Sequence, residues 1–181
     1  MDARNMRADC AHCAALCCVT FAFDRSQGFP MDKPNGVACS NLDCTNRCRI
    51  YARRVQKGFE ACVHYDCLGA GQRVTQEVFA GRSWRDEPAL LPDMIRAFIT
   101  MRTIHELSVL LSTAAAGSLP SELRGTALRL LEDLAPVGGW TVEGLAAFER
   151  DGLARRIKLF LIGLRPHLQA QLMKKQAMAE G

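Results

Sequence analysis

All nine cysteines of this 181-residue chain fall between Cys10 and Cys67. So many thiols in a segment with few large apolar residues restrict how it can fold, because such a segment needs a staple that an apolar core would otherwise supply. The pattern opens at "CAHCAALCC" with Cys10, Cys13, Cys17 and Cys18, and continues through Cys39, Cys44, Cys48, Cys62 and Cys67. An odd total fits a fully disulfide-paired framework badly. The first residues, "MDARNMRADC", lack the apolar core of a secretory signal, and "LFLIGL" is too short to span a bilayer. The expectation is a cytoplasmic protein with no membrane partner, where dense cysteine reports metal binding or redox chemistry more often than structural disulfides.

The spacing supports metal. Cys10 and Cys13, as Cys-x2-Cys, place two thiolates on one tight turn within reach of a single tetrahedral ion at about 2.3 Å per sulfur. Cys17 lies one helical turn beyond Cys13, whereas Cys17 and Cys18 are neighbours that project about 100° apart on a helix. The doubled cysteine therefore points to two sites or to one polynuclear site. Four ligands close a structural zinc site, so eight of the nine thiols can fill two and leave one spare. Thiolate softness selects zinc, iron, cuprous copper or an iron-sulfur cluster over magnesium or calcium.

The same residues resemble a known family. "CAHCAALCC" is similar to the cluster that opens the YkgJ-like proteins, described as zinc- or iron-chelating, and "ACSNLDCTNRCRIYARR" resembles their second block. The run through "FDRSQGFPMDKPNG", "CRIY", "DCLGAGQ" and "FAGRSWR" is closer still to a cysteine-rich N-terminal region of some bacterial pentapeptide-repeat proteins, although no such repeat is present here. The resemblance implies zinc or iron as the cofactor, with zinc favoured, held by Cys10, Cys13, Cys17, Cys18, Cys39, Cys48, Cys62 and Cys67. Cys44 has no counterpart in that pattern and is the spare thiol. A related motif accompanies a flagellin lysine N-methylase, so the motif is compatible with an enzyme.

Composition changes after "GRSWRDEP". Upstream, "RSQGFP" and "DKPNGVACS" read as loop with a turn at Pro34-Asn35-Gly36, "VTFAF" as a short strand, and residues 11 to 18 and "NRCRIYARRVQKG" as helical pieces, the latter stopped by Gly58. Downstream, Leu91, Met94, Phe98, Met101, Ile104, Leu107 and Leu111 form the stripe of an amphipathic helix ending near Gly117. A second helix follows with Pro120 in its first turn, a third with Thr141 as N-cap, a continuation at "LARRIKLFLIGL" after "RDG", and a last helix opened by Pro166. The fold class is mainly α: an irregular metal-stapled module over residues 1–85, then a bundle of four or five helices over 86–181.

The net charge of +4 is too dispersed for a dedicated nucleic-acid binder, and "RRVQK" and "LARRIK" read as solvated helix faces. His12 and His64 read as solvated loop residues, and His105 and His167 as packing or surface residues. "HYDCLGAGQ", with Asp66, reads as a turn that holds Cys67. Three functions follow: structural metal sites beside a helical protein-interaction surface; a metalloenzyme with an iron, iron-sulfur or binuclear centre near Asp66 and His64; or metal storage and delivery through Cys17 and Cys18.

Overall fold

The computed structural model describes residues 6–167. The chain is mainly α, with seven helices among the described residues: α1 Leu16–Thr20, α2 Glu60–His64, α3 Ala70–Arg73, α4 Leu91–Ala116, α5 Ser121–Asp133, α6 Val142–Arg150 and α7 Leu153–Gly163. Two isolated antiparallel bridges, Phe23 with Lys33 and Leu42 with Cys48, are the extended pairings among those residues. Two compact units share the chain. One comprises the described residues up to His105 together with Trp140–Leu145; the other comprises Glu106–Gly139 and the described residues from Ala146 onward.

In the first unit, long stretches before α3 are turns. The expected helix over residues 11 to 18 reduces to α1, because Ala15 adopts a left-handed conformation at φ 54° and the chain enters the helix only after it. "NRCRIYARRVQKG" forms two 3-10 turns, Tyr51–Arg53 and Val55–Lys57, where one helix was expected. Gly58 stops the second at φ 77°, as its lack of a Cβ permits. "VTFAF" contributes only the bridge at Phe23. Around it Phe23 and Phe29 stack at 4.4 Å between ring centroids, and Phe59 meets both edge-on.

α4 runs through both units, and its apolar stripe behaves as the periodicity implies. Met94, Phe98, Met101, Ile104, Leu107 and Leu111 are all buried, whereas Ile99 and Leu110 on other faces stay about half exposed. Thr141 caps α6 by accepting a hydrogen bond from the Gly144 N–H at 3.0 Å. Pro120 stands at the N-cap of α5, one place ahead of the first turn. Gly152, at φ 70°, separates α6 from α7. In the second unit Ala114, Leu119 and Leu164 form a buried cluster, with Leu123, Phe160 and Leu161 packed against it. Most of the expected last helix, from residue 168, lies outside the described residues.

Phe98 is fully buried and meets the Phe21 ring edge-on at 6.0 Å. Phe98→Ala is expected to cost about 3–5 kcal/mol by urea denaturation, and Ile99→Ala less than about 0.5 kcal/mol. Equal costs would show that the stripe is misassigned.

Candidate functional site

The site begins with a clasp between two distant stretches. The Ala14 N–H donates to Thr75 Oγ1 at 3.0 Å, and its carbonyl accepts from Trp84 Nε1 at 2.7 Å. Nearby, the Asp9 N–H donates to Gln72 Oε1, while the Gln72 and Gln76 amides donate to the carbonyls of Arg7 and His12. Residues 7–14 are thus laid against α3 and the π-turn Val74–Val78 that follows it. Gly71 makes this approach possible. A Cβ placed there would lie 2.6 Å from Cys13 Sγ, so any side chain would displace that thiol.

Beneath the clasp lies a cavity of about 700 Å3. Cys10, Cys13, Cys17, Cys18, Cys39, Cys48, Cys62 and Cys67 all line it, along with aromatic residues that include Phe21, Phe59, Tyr65 and Phe98. Cys44 is exposed and is absent from that lining. The nine cysteines are all free. Among the described residues, no three His, Cys, Asp or Glu side chains are already gathered into an ion site. The donor set nevertheless fits a soft cation in kind and number, being sulfur throughout and enough for two four-ligand shells.

Electrostatics in the cavity follow from crowding and burial. Burial pushes Cys13 up to about 12, and burial with repulsion from Cys18, Cys39 and Cys48 pushes Cys62 up to about 11. Burial, then Cys67 and Cys18, raises Cys10; Cys48 is raised chiefly by burial. Cys17 and Cys18 have sulfurs 3.9 Å apart, closer than the divergence of neighbouring helical positions suggests. Their hydrogen bond holds Cys17 well above the ordinary thiol range and Cys18 below it.

Two cations face these thiols, neither of them marked by any sequence motif. Arg54 lies in "RRVQK", which reads as a solvated face, yet its Nη1 donates to the Cys62 carbonyl at 2.7 Å and its guanidinium stacks on Tyr51 at 3.9 Å. Arg54 stands between two 3-10 turns instead of on a continuous helix face, and it lines the cavity. Lys33 is buried. Its Nζ donates to the carbonyls of Val37 at 2.7 Å and Pro34 at 3.1 Å, within the field of Cys39, Cys18 and Cys62.

The remaining candidates are peripheral. His12 is exposed and bonded to Asp9, and His64 is exposed. Asp66 accepts the Leu68 N–H at 2.8 Å and so closes the turn after Cys67. His105 is fully buried. Its Nδ1–H donates to the Leu68 carbonyl at 2.6 Å, and its Nε2 accepts from Arg73 Nη1 at 3.2 Å. A carbonyl can only accept and a guanidinium can only donate, so these partners fix one neutral tautomer. Arg73 pairs with Glu77, which accepts the Trp140 N–H at 2.6 Å.

Comparison with known proteins adds one relative. The chain is 39% identical over 126 residues to an uncharacterized protein, YybG, of Bacillus subtilis (strain 168), an alignment covering 67% of this chain and 45% of that protein. The chain thus spans less than half the length of that relative. No family pattern and no solved structure matches it.

Burial holds the folded His105 at about 4, against 6.5 for a free imidazole. Its contribution to stability is therefore intact above pH 6.5 and is lost as the pH falls toward 4, since the unfolded chain binds the extra proton in that window. The stability of the wild type against denaturant should fall across that interval, and His105→Gln should flatten the slope. An unchanged slope in the variant would contradict the assignment.

Proposed function

We propose that the N-terminal unit is a metal-binding module that takes soft ions, zinc ahead of iron, in its cysteine-lined cavity, and that these ions are structural. The observation that carries the reading is the convergence of eight thiols on one cavity while Cys44 stays in solvent. Several of those thiols are neutral because crowding and burial disfavour the thiolates, and a cation that displaces the protons relieves both penalties. The resemblance to the YkgJ-like cysteine cluster points the same way. A reducing compartment, the cytoplasm, suits a protein built on free thiols.

The helical residues beyond the module are proposed as a protein-interaction surface. Their support is the partial exposure of Leu128, Leu159 and Ile162. No helix among the described residues is long and apolar enough to cross a membrane. A second reading rests on cavity size: about 700 Å3 also accommodates a polynuclear iron-sulfur centre, under which the chain would be a metalloenzyme.

Elemental analysis and absorption of anaerobically purified protein test both. A colourless protein containing zinc supports the first reading, a brown one the second, and a metal-free protein that takes up neither ion refutes both. Cys44→Ser should leave metal content unchanged, and Cys13→Ser should lower it. Gly71→Ala should lower it as well, although it alters no thiol, because its methyl would stand 2.6 Å from the Cys13 sulfur and force it aside. Equal loss in Cys44→Ser and Cys13→Ser would refute the ligand set.

A further inference from the structure

We propose that the cavity holds two separate tetrathiolate centres, Cys10, Cys13, Cys17 and Cys67 around one ion and Cys18, Cys39, Cys48 and Cys62 around the other, with the chain crossing between them at the Cys17–Cys18 peptide. The partition rests on the metal-binding reading above and assigns each thiol within it.

The first group gathers on α3. The Ala70 N–H donates to the Cys67 carbonyl at 3.0 Å, fixing Cys67 at the start of that helix. Gly71 brings the helix against Cys13 Sγ, and Gln72 holds the Asp9 N–H beside Cys10. Cys17 joins them through its neighbours. It lines the cavity with Cys10, Cys13 and Cys67 and, unlike Cys18, is not among the residues packed against the phenylalanine cluster.

The second group gathers on the phenylalanine cluster. Cys39 is buried with Phe23 and Phe59, and Cys18 and Cys62 pack against the same cluster. The Cys39 N–H donates to the Cys18 carbonyl at 3.1 Å. Cys48 is brought in by its bridge to Leu42, whose N–H donates to the Cys39 carbonyl at 2.9 Å, and by Ile50, which packs into the same cluster. Each group supplies four sulfurs, the number that closes a tetrahedral site without an open position. The 3.9 Å between the sulfurs of Cys17 and Cys18 sets the two centres side by side and makes a shared thiolate the competing arrangement.

Cadmium-113 substituted into the whole chain distinguishes these arrangements by nuclear magnetic resonance. Two tetrathiolate resonances without cadmium–cadmium splitting are expected, and splitting would reveal a bridging thiolate and overturn the partition without recourse to any variant. Cys17→Ser should remove one resonance and Cys18→Ser the other. The double variant C10S/C17S should retain about one ion and C17S/C18S essentially none. Loss of the same resonance from both single variants would overturn the partition while leaving metal binding intact. A wild-type chain that binds no cadmium would refute the metal-binding reading itself.

Discussion

The N-terminal unit depends on how Ala14 is held. Both of its backbone polar groups are satisfied by side chains from far along the chain, Thr75 to its N–H and Trp84 to its carbonyl. Buried peptide groups cannot be left unpaired without a cost of roughly 1–3 kcal/mol each, so these two bonds fix where the first cysteine segment lies. The neighbouring part of the cavity follows from that placement. Cys13 is pressed against Gly71, Ala15 turns left-handed to start α1, and α1 in turn delivers Cys17 and Cys18 to the cavity.

Such a clasp closes a loop of roughly sixty residues that contains little regular structure. Closing a loop that long is entropically costly, and most of its residues form turns whose hydrogen bonds are local. The phenylalanine trio of Phe23, Phe29 and Phe59 supplies the apolar packing within it. Ions bridging sulfurs from both ends of the loop would tie Cys10 to Cys67 and Cys18 to Cys62. They would act on the same entropy that a disulfide relieves, with bonds that survive a reducing compartment.

The legibility of the fold varied with how local its causes are. The α4 stripe could be read because one buried face imposes a period, and the Thr141 cap and the Gly58 stop because each is set by its own residue. "NRCRIYARRVQKG" misled because its helical propensity is overridden on both sides. Cys48 is drawn into a bridge with Leu42, and Ile50 is drawn into the Phe23 cluster. The thiols advertised themselves by count, but their arrangement depends on Thr75, Gln72 and Trp84, which carry no signal of their own. Lys33 was equally silent: it stands in "DKPNGVACS", which reads as loop, and only the fold surrounds it with carbonyls.

That lysine bears on how a charged centre is tolerated in an apolar cavity. Four thiolates around a divalent ion carry a net charge of about −2, which a low-dielectric wall of phenylalanine does not favour. Burial alone lowers the Lys33 pKa, whereas the neighbouring thiols act in the opposite direction and favour its charged form. An ion bound there would convert those thiols to thiolates and so strengthen the second influence. The carbonyls of Val37 and Pro34 hold the ammonium without neutralising it, since a carbonyl contributes a dipole and no counter-charge. Arg54 is held in the same manner, by the Tyr51 and Cys62 carbonyls and the Tyr51 ring. Both groups are thus held by carbonyls on the side of the sulfurs, where a carboxylate partner would set a counter-charge against each of them.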